Sequence, residues 1–302
     1  MIFDFLTRLP LPDYRAALTA GVLLGTALAL WTGRRNGLPV MVVVDGVLAA
    51  AVGGLLLGRL GYVAAHLPYF REHPTAALAL WQGGLSAPGV VVGGAVGAGV
   101  MARLRKLTPG LLWGTLAPGA AVVLIAAYLG CLRAGCACGR ETWPGDGPLW
   151  ALSAELPDLY GLRAPRVAVP VLGMGWGALM LVLTLWMVRG GRTTASGATT
   201  PGVTARGATA RATPRSPRPR RASARGGFSP RGVAPTGPIW LALYGLGEFA
   251  LGFLRGDAPP LIGGLSALQW AGLGILGAGI ALTIDHRRRT TDHGRQTTDH
   301  YH

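Results

Sequence analysis

The chain has 302 residues, of which 50% are hydrophobic and only 14% are charged, yet its formal net charge is +15. Charged residues make up about 25% of an ordinary soluble domain, so this composition argues against a soluble enzyme. The charge is also localised, because ten of the 28 basic residues lie between positions 189 and 236, with no acidic residue among them. An apolar body with one basic insert argues against a basic nucleic-acid-binding domain as well.

Seven apolar segments have lengths near those needed to cross a membrane. A hydrocarbon core about 30 Å thick requires roughly 20 apolar residues per helix. The sequence therefore predicts an all-α integral membrane protein, built as a bundle of seven transmembrane helices. In chain order the segments are 16–32, 38–62, 88–102, 111–131, 167–188, 239–254 and 262–284.

Clusters of basic residues follow every second apolar segment and predict the orientation of the bundle. Cytoplasmic loops of membrane proteins carry an excess of arginine and lysine. If seven helices alternate in direction, these clusters all fall on one side, so we expect the N-terminus outside and the C-terminus in the cytoplasm. The clusters comprise Arg34, Arg35, Arg103, Arg105, Lys106, Arg189, Arg287, Arg288 and Arg289.

The composition divides the chain into four parts. Residues 1–188 carry the first five predicted helices, with an outer loop at 139–166, and residues 237–285 carry the last two. Between them, residues 189–236 are rich in Thr, Ala, Gly, Pro and Arg and contain almost no large apolar residues. Such a segment lacks the apolar surface that folding requires, so we expect a disordered, arginine-rich cytoplasmic insert. We also expect a disordered polar tail at 286–302.

Charged residues within the apolar segments are candidates for function, because charge at membrane depth is costly. Arg59 and Arg255 fall near the predicted outer ends of their segments. A guanidinium presents a planar fork to phosphate oxygens, so both could face inward and hold a lipid phosphate. Alternatively, they extend to the interface or pair with Asp45, Glu248 or Asp257. For Asp45 and Glu248 we expect structural pairing inside the bundle.

Three cysteines, Cys131, Cys136 and Cys138, cluster after the fourth apolar segment. A zinc site needs about four ligands, and no further cysteine or histidine lies nearby in the sequence. A nucleophilic cysteine would need a base, for which His66 is the candidate. A disulfide is a third interpretation if the cluster faces the oxidising side of the membrane. Small thiols packed at a helix end are the fourth.

Several short motifs resemble those of one enzyme family. Residues 58–62 read Gly-Arg-Leu-Gly-Tyr, residues 81–89 read Trp-Gln-Gly-Gly-Leu-Ser-Ala-Pro-Gly, and residues 130–140 contain the three cysteines. Residues 253–257 read Phe-Leu-Arg-Gly-Asp. Together these motifs resemble the prolipoprotein diacylglyceryl transferase family over residues 38–284, apart from the insert.

The resemblance implies an enzyme that transfers the diacylglyceryl group of phosphatidylglycerol to the lipobox cysteine thiol in the signal peptide of an exported prolipoprotein. It implies a multi-pass protein of the bacterial plasma (inner) membrane that works among membrane lipids without a metal or an organic cofactor. Neither the composition nor the resemblance indicates a nucleic-acid partner. The residues that match the family's motifs, and that we expect at the phosphatidylglycerol site, are Arg59, Tyr62, Ser86, Gly89, Arg140 and Arg255.

Five positions depart from the residues that the family usually carries, and we assign no catalytic residue from the sequence. Where the family has His, Arg, Asn, Arg and Glu, this chain has Pro88, Tyr128, Cys131, Glu248 and Gly252, respectively. A proline cannot act as a base, and a glutamate reverses the charge where an anionic lipid would bind. The alternative to an active transferase is a non-catalytic lipid- or lipoprotein-binding membrane protein that retains the fold.

Overall fold

The computed structural model describes Phe3 and residues 11–158, 160–190, 235–257 and 259–298. The α-helices are α1 (Tyr14–Arg35), α2 (Val40–Ala65), α3 (Leu67–Glu72), α4 (Ala87–Leu104), α5 (Pro109–Ala134), α6 (Pro148–Ala151), α7 (Val169–Gly190), α8 (Thr236–Gly252) and α9 (Ala267–Thr298). Short 3-10 helices lie at Pro74–Leu78 and Leu80–Gln82. Strand β1 (Ser153–Pro157) pairs antiparallel with β2 (Arg163–Val167), and β3 (Pro260–Ile262) pairs antiparallel with β4 (Leu265–Ser266).

Each predicted apolar segment coincides with one of these helices, and the predicted class of an all-α membrane bundle is confirmed. Within the described residues, six helices are long and apolar enough to cross a membrane, namely α1, α2, α4, α5, α7 and α9. The predicted segment 239–254 corresponds to α8, which has 17 residues. The number of spans and the orientation of the termini stay predictions. The last helix begins later than predicted, at Ala267, because residues 260–266 form the β3–β4 hairpin.

Close glycine contacts hold the helices in pairs around a central α5. Gly25 of α1 faces Gly119 of α5, and Gly53 of α2 faces Gly93 of α4. A Cβ atom at any of the four would overlap the backbone of its partner helix, so these positions permit only glycine at this spacing. Small residues allow such approach in membranes, where apolar burial from water does not drive association. The main apolar core lies beside α5 and comprises Ala117, Ala121, Met180, Trp240, Leu241, Tyr244 and Ile275.

One end of the bundle, which we call the basic end, collects the predicted basic clusters. Gly33, next to the cluster that ends α1, lies against Thr115 near the start of α5, with 3.5 Å between an ideal Cβ and Thr115 Cγ2. An ideal Cβ at Gly110, near the start of α5, would lie 3.8 Å from Nδ1 of His286, the residue just before the last cluster. Helices that alternate in direction produce this arrangement, as the sequence predicted.

Asp45 also lies toward the basic end and forms an ion pair with Arg105, which follows α4. The sequence predicted structural pairing for Asp45, with Arg59 and Arg255 as the candidate partners. The structure instead joins α2 to the end of α4 through this pair, because Arg59 is four helical turns further along α2.

The opposite end carries a small sheet, which we call the sheet cap and define as residues 138–167 and 253–266. Beside the β1–β2 hairpin, Glu141 forms a bridge to Arg166 of β2, and Gly139 forms a bridge to Arg255 after α8. The segment after α5 therefore pairs with strands on both of its sides and ties α8 to the loop between α5 and α7.

The predicted insert and tail stay predictions. Most of the insert, residues 191–234, lies outside the described residues. The predicted tail at 286–302 begins within α9, which extends to Thr298.

Candidate functional site

Arg59 is buried at the sheet-cap end of α2, where its guanidinium binds a loop of its own chain. Its Nε donates to the carbonyl of Ala77 at 2.9 Å, and Nη2 donates to Ala76 at 2.6 Å and to Ala79 at 3.4 Å. Its Nη1 donates to Gly84 at 3.0 Å and also to Gly83. All five N–H groups of the side chain are thereby used. Arg59 orders the 76–84 loop, and a lipid phosphate would have to displace these carbonyls.

Tyr62, Ser86 and Gly89 surround Arg59, so four of the predicted site residues do lie together. The Arg59 guanidinium carbon is 5.7 Å from the centre of the Tyr62 ring. Ser86 anchors the end of the loop to α2, because its N–H donates to the Gly58 carbonyl at 2.9 Å. Gly89 allows α4 to cross α2 closely, with an ideal Cβ only 3.0 Å from Gly58 Cα.

Pro88 stands in the first turn of α4 and is buried. Proline suits this position because the first N–H groups of a helix have no partner inside it. The residue that replaces the family's histidine therefore acts here as a helix start, and its side chain offers neither a proton nor a lone pair to a substrate.

A second group of polar residues lies inside the bundle between α5 and α8. Tyr128 and Glu248 are buried, and the Tyr128 hydroxyl donates to Glu248 Oε1 at 3.4 Å. Tyr244, one turn before Glu248 on α8, is only 2% exposed. The expected structural pairing of Glu248 is thus realised with a tyrosine hydroxyl rather than with a cation.

Arg255 lies just beyond α8 and is held by Asp257. Its Nε donates to Asp257 Oδ1 and its Nη2 donates to Oδ2, both at 2.9 Å. Nη1 has no hydrogen-bond partner within the described part of the chain. Arg255 also interacts electrostatically with the buried Tyr128 and Glu248.

Arg140 and Arg255 lie on adjacent strands of the sheet cap but on opposite faces. Gly139 is directly opposite Arg255 in the bridge, and successive side chains of a strand alternate between faces. Arg140 is accordingly exposed, whereas the Arg255 side chain is only 14% exposed. The structure therefore places Arg140 and Arg255 on different faces of the sheet cap, and Arg255 is the one that interacts electrostatically with the buried Tyr128 and Glu248.

The cysteine cluster contains a disulfide between Cys131 and Cys136 at the end of α5. Cys138 remains a thiol and is buried in the sheet cap. Burial raises the pKa of the Cys138 thiol above its usual value. Of the four interpretations left open by the sequence, the disulfide holds for the first pair and a packed thiol holds for Cys138.

Comparison with known proteins identifies the family. A family model described as prolipoprotein diacylglyceryl transferase matches residues 1–205, more than half of the chain. The chain belongs to the prolipoprotein diacylglyceryl transferase family. The resemblance found in the sequence motifs is thereby confirmed.

Individual relatives of this family carry the same name and share about a third of their residues with the chain. The phosphatidylglycerol–prolipoprotein diacylglyceryl transferase of Methylocella silvestris is 35% identical over 212 residues, covering 64% of this chain and 71% of the relative. That of Thermus thermophilus is 32% identical over 195 residues, covering 58% and 69%. That of Beijerinckia indica is 37% identical over 115 residues, covering 35% of this chain and 42% of the relative.

As a prolipoprotein diacylglyceryl transferase family member, the chain departs from the usual residues in a spatially related way. Tyr128 and Glu248, which stand where the family usually carries arginines, contact each other. Gly252 stands where the family usually carries a glutamate, and an ideal Cβ there would overlap Gln269. Three of the five departures thus lie along the α5–α8–α9 contact and belong to one rearranged set of buried polar residues.

Sequence reasoning missed the carbonyls that bind Arg59. They belong to residues 76–84, and backbone atoms carry no signal in a sequence. Ser266 and Gln269 also match a motif of the family, although we assigned them no place in the site from the sequence. The Gln269 side chain is buried, and its Oε1 accepts from the Ser266 N–H at 2.9 Å.

Proposed function

We propose that this chain transfers the diacylglyceryl group of phosphatidylglycerol to a cysteine thiol of a prolipoprotein. Family membership supports the reaction class, and the relatives named above carry this activity in their names. The structural observation that carries the proposal is the placement of Arg255. Its guanidinium is fixed by Asp257 and interacts electrostatically with the buried Tyr128 and Glu248.

In the proposed reaction, the sulfur of the acceptor cysteine forms a bond to the glyceryl carbon that carries the phosphate. The carbon–oxygen bond breaks, and glycerol phosphate leaves with the electron pair and, overall, the thiol proton. Negative charge therefore grows on phosphate oxygens as the bond breaks. A preoriented guanidinium stabilises such charge, which is the role we give to Arg255.

The remaining predicted residues have supporting roles in this proposal. Arg59 holds the 76–84 loop in place, and Tyr62, Ser86 and Gly89 pack the loop against α2 and α4. Arg140 is exposed on the outer face of the sheet cap, where it would attract the anionic headgroup before it reaches Arg255.

We further propose that the protein lies in the bacterial plasma (inner) membrane, with the sheet cap outside and the basic end in the cytoplasm. The basic clusters lie at one end, as the excess of arginine and lysine in cytoplasmic loops requires. This places Arg255 at the outer surface, where the signal peptide and lipobox cysteine of an exported protein are presented. The insert at 189–236 then lies in the cytoplasm.

A second candidate function, a non-catalytic lipid- or lipoprotein-binding protein, is favoured by two observations. All five N–H groups of Arg59 are occupied by backbone carbonyls, and Cys131, at a position where the family usually has asparagine, is in a disulfide. Such a protein would bind phosphatidylglycerol and leave it intact.

Expression in a bacterium depleted of its own transferase separates the two candidates in the cell. We expect the chain to restore growth and the lipid labelling of prolipoproteins. Failure to rescue, with the chain present in the membrane at a level that suffices for a known transferase, would favour the binding protein.

A further inference from the structure

An apolar groove runs between α7 and α8, separate from the polar residues of the candidate site. Its volume is about 380 Å³. Leu172, Gly175 and Leu179 line it on α7, and Gly247 and Leu251 line it on α8. Polar surface is nearly absent from its walls, so the groove suits a hydrocarbon rather than a headgroup.

The floor of the groove is built from one tryptophan and one glycine. Trp176 Nε1 donates to the Leu243 carbonyl at 3.0 Å, which fixes the indole against α8. An ideal Cβ at Gly247 would overlap this indole, so glycine is required for the contact. At Gly175, by contrast, nothing lies within 4 Å of an ideal Cβ. The groove is therefore open to the outside at Gly175, and the Trp176 indole closes its inner side.

The groove starts next to the candidate site and leads away from it along α7 and α8. Along α7, the distance from Leu172 to Leu179 is about 10 Å at 1.5 Å per residue. On α8 the lining begins at Leu251, four residues before Arg255, and Gly247 directly precedes Glu248. A lipid with its phosphate at Arg255 would thus direct a chain along this groove.

We propose that the α7–α8 groove binds one acyl chain of the lipid donor. The inference rests on the proposed transferase function, which supplies a diacyl lipid at Arg255. The groove suits this occupant because its walls are apolar and because its lining on α8 begins four residues before Arg255.

Photolabelling with phosphatidylglycerol that carries a diazirine in one acyl chain tests the proposal on the purified full chain in lipid nanodiscs. We expect labelled peptides to contain residues 172–179 and 247–251. Gly175→Leu places a side chain in the groove, so we expect labelling there to fall about tenfold, as exclusion of roughly two methylene groups would cause. Gly274→Leu is the matched control, because Gly274 of α9 also has nothing within 4 Å of an ideal Cβ.

The outcomes distinguish this inference from the proposed function. Labelling spread evenly over lipid-facing residues such as Leu23 and Leu24, or unchanged by Gly175→Leu, would overturn the groove assignment even if the chain transfers lipid. Selective groove labelling without any transfer would uphold the acyl-chain site and overturn the transferase function. Thermal unfolding of both leucine variants near the wild-type temperature shows that each has folded.

Discussion

Arg255 and Asp257 are joined by two parallel hydrogen bonds of 2.9 Å, from Nε to Oδ1 and from Nη2 to Oδ2. Both side chains are about 15% exposed, at 14% and 15% respectively. Such a pair fixes the plane of the guanidinium, because the planar fork matches both carboxylate oxygens at once. The direction in which Arg255 presents its remaining N–H groups is therefore set before a lipid arrives.

Replacement of Arg59 by alanine should release the 76–84 loop. Five N–H groups would be lost, and the carbonyls of Ala76, Ala77, Ala79, Gly83 and Gly84 would lose their donor. Hydrogen-exchange mass spectrometry should show faster exchange across 76–84, by about tenfold or more, since each lost bond to a charged donor costs roughly 1.5–3 kcal/mol.

Arg71→Ala is the matched control for this experiment, because Arg71 is an exposed arginine on α3, close to the same loop. Its exchange profile should equal that of the wild type. Unchanged exchange in Arg59→Ala would show that the loop does not depend on this side chain.

The sequence was sufficient for the helices and for the family but not for the geometry of the site. Apolar runs near span length predict membrane helices directly, and the basic clusters correctly predicted which helix ends lie together. The hydrogen-bond partners of Arg59 were not predictable. They are backbone carbonyls of residues 76–84, and the positions of these carbonyls depend on how the loop folds rather than on its side chains.

The pairing of charges inside the bundle was only partly predictable, for a similar reason. The sequence identified Asp45 and Glu248 as candidates for structural pairing, but their partners, Arg105 and Tyr128, lie 60 and 120 positions away. Only the packing of α2 with α4 and of α5 with α8 decides these partners. The opposite faces of Arg140 and Arg255 follow from strand register, which the short motif residues do not reveal.

Gly252→Ala should lower stability, because the added Cβ would overlap Gln269 across the α8–α9 contact. Overpacking of this kind costs about 1–3 kcal/mol, measurable as a lower midpoint of thermal unfolding in detergent. Gly274→Ala, where an ideal Cβ meets nothing within 4 Å, should leave the midpoint unchanged. Equal midpoints for both variants would contradict the α8–α9 contact described above.

The Cys138 thiol should react slowly with maleimide near neutral pH. Alkylation needs the thiolate, and burial raises the pKa of this thiol. Labelling should therefore rise only as the pH passes the usual thiol value of about 8.5. The pKa of this thiol is higher in the folded chain than in the unfolded chain. The free energy of unfolding should therefore fall as the pH rises above the unfolded value. Fast labelling of oxidised protein at neutral pH, absent in Cys138→Ser, would refute the burial.

The proposed orientation predicts which engineered cysteines a membrane-impermeant maleimide can reach in spheroplasts. In a Cys138→Ser background that keeps the disulfide, Tyr160→Cys in the sheet cap should be labelled from outside, since Tyr160 is 90% exposed. Ser196→Cys in the insert should be labelled only after the membrane is opened. The reverse pattern would place the sheet cap in the cytoplasm and remove Arg255 from the exported substrate.

Direct assay of the purified chain decides the central claim. Vesicles would contain phosphatidylglycerol labelled in both an acyl chain and the headgroup glycerol, together with a peptide that carries a lipobox cysteine. We expect a diacylglyceryl thioether on the cysteine and an equal amount of released glycerol phosphate. We also expect a loss of roughly 10²–10³-fold in Arg255→Ala, the usual effect of removing one donor to a developing anion, with Arg163→Ala as the exposed control. Phosphatidylglycerol that stays bound and intact, with no thioether formed, would contradict the proposed transfer.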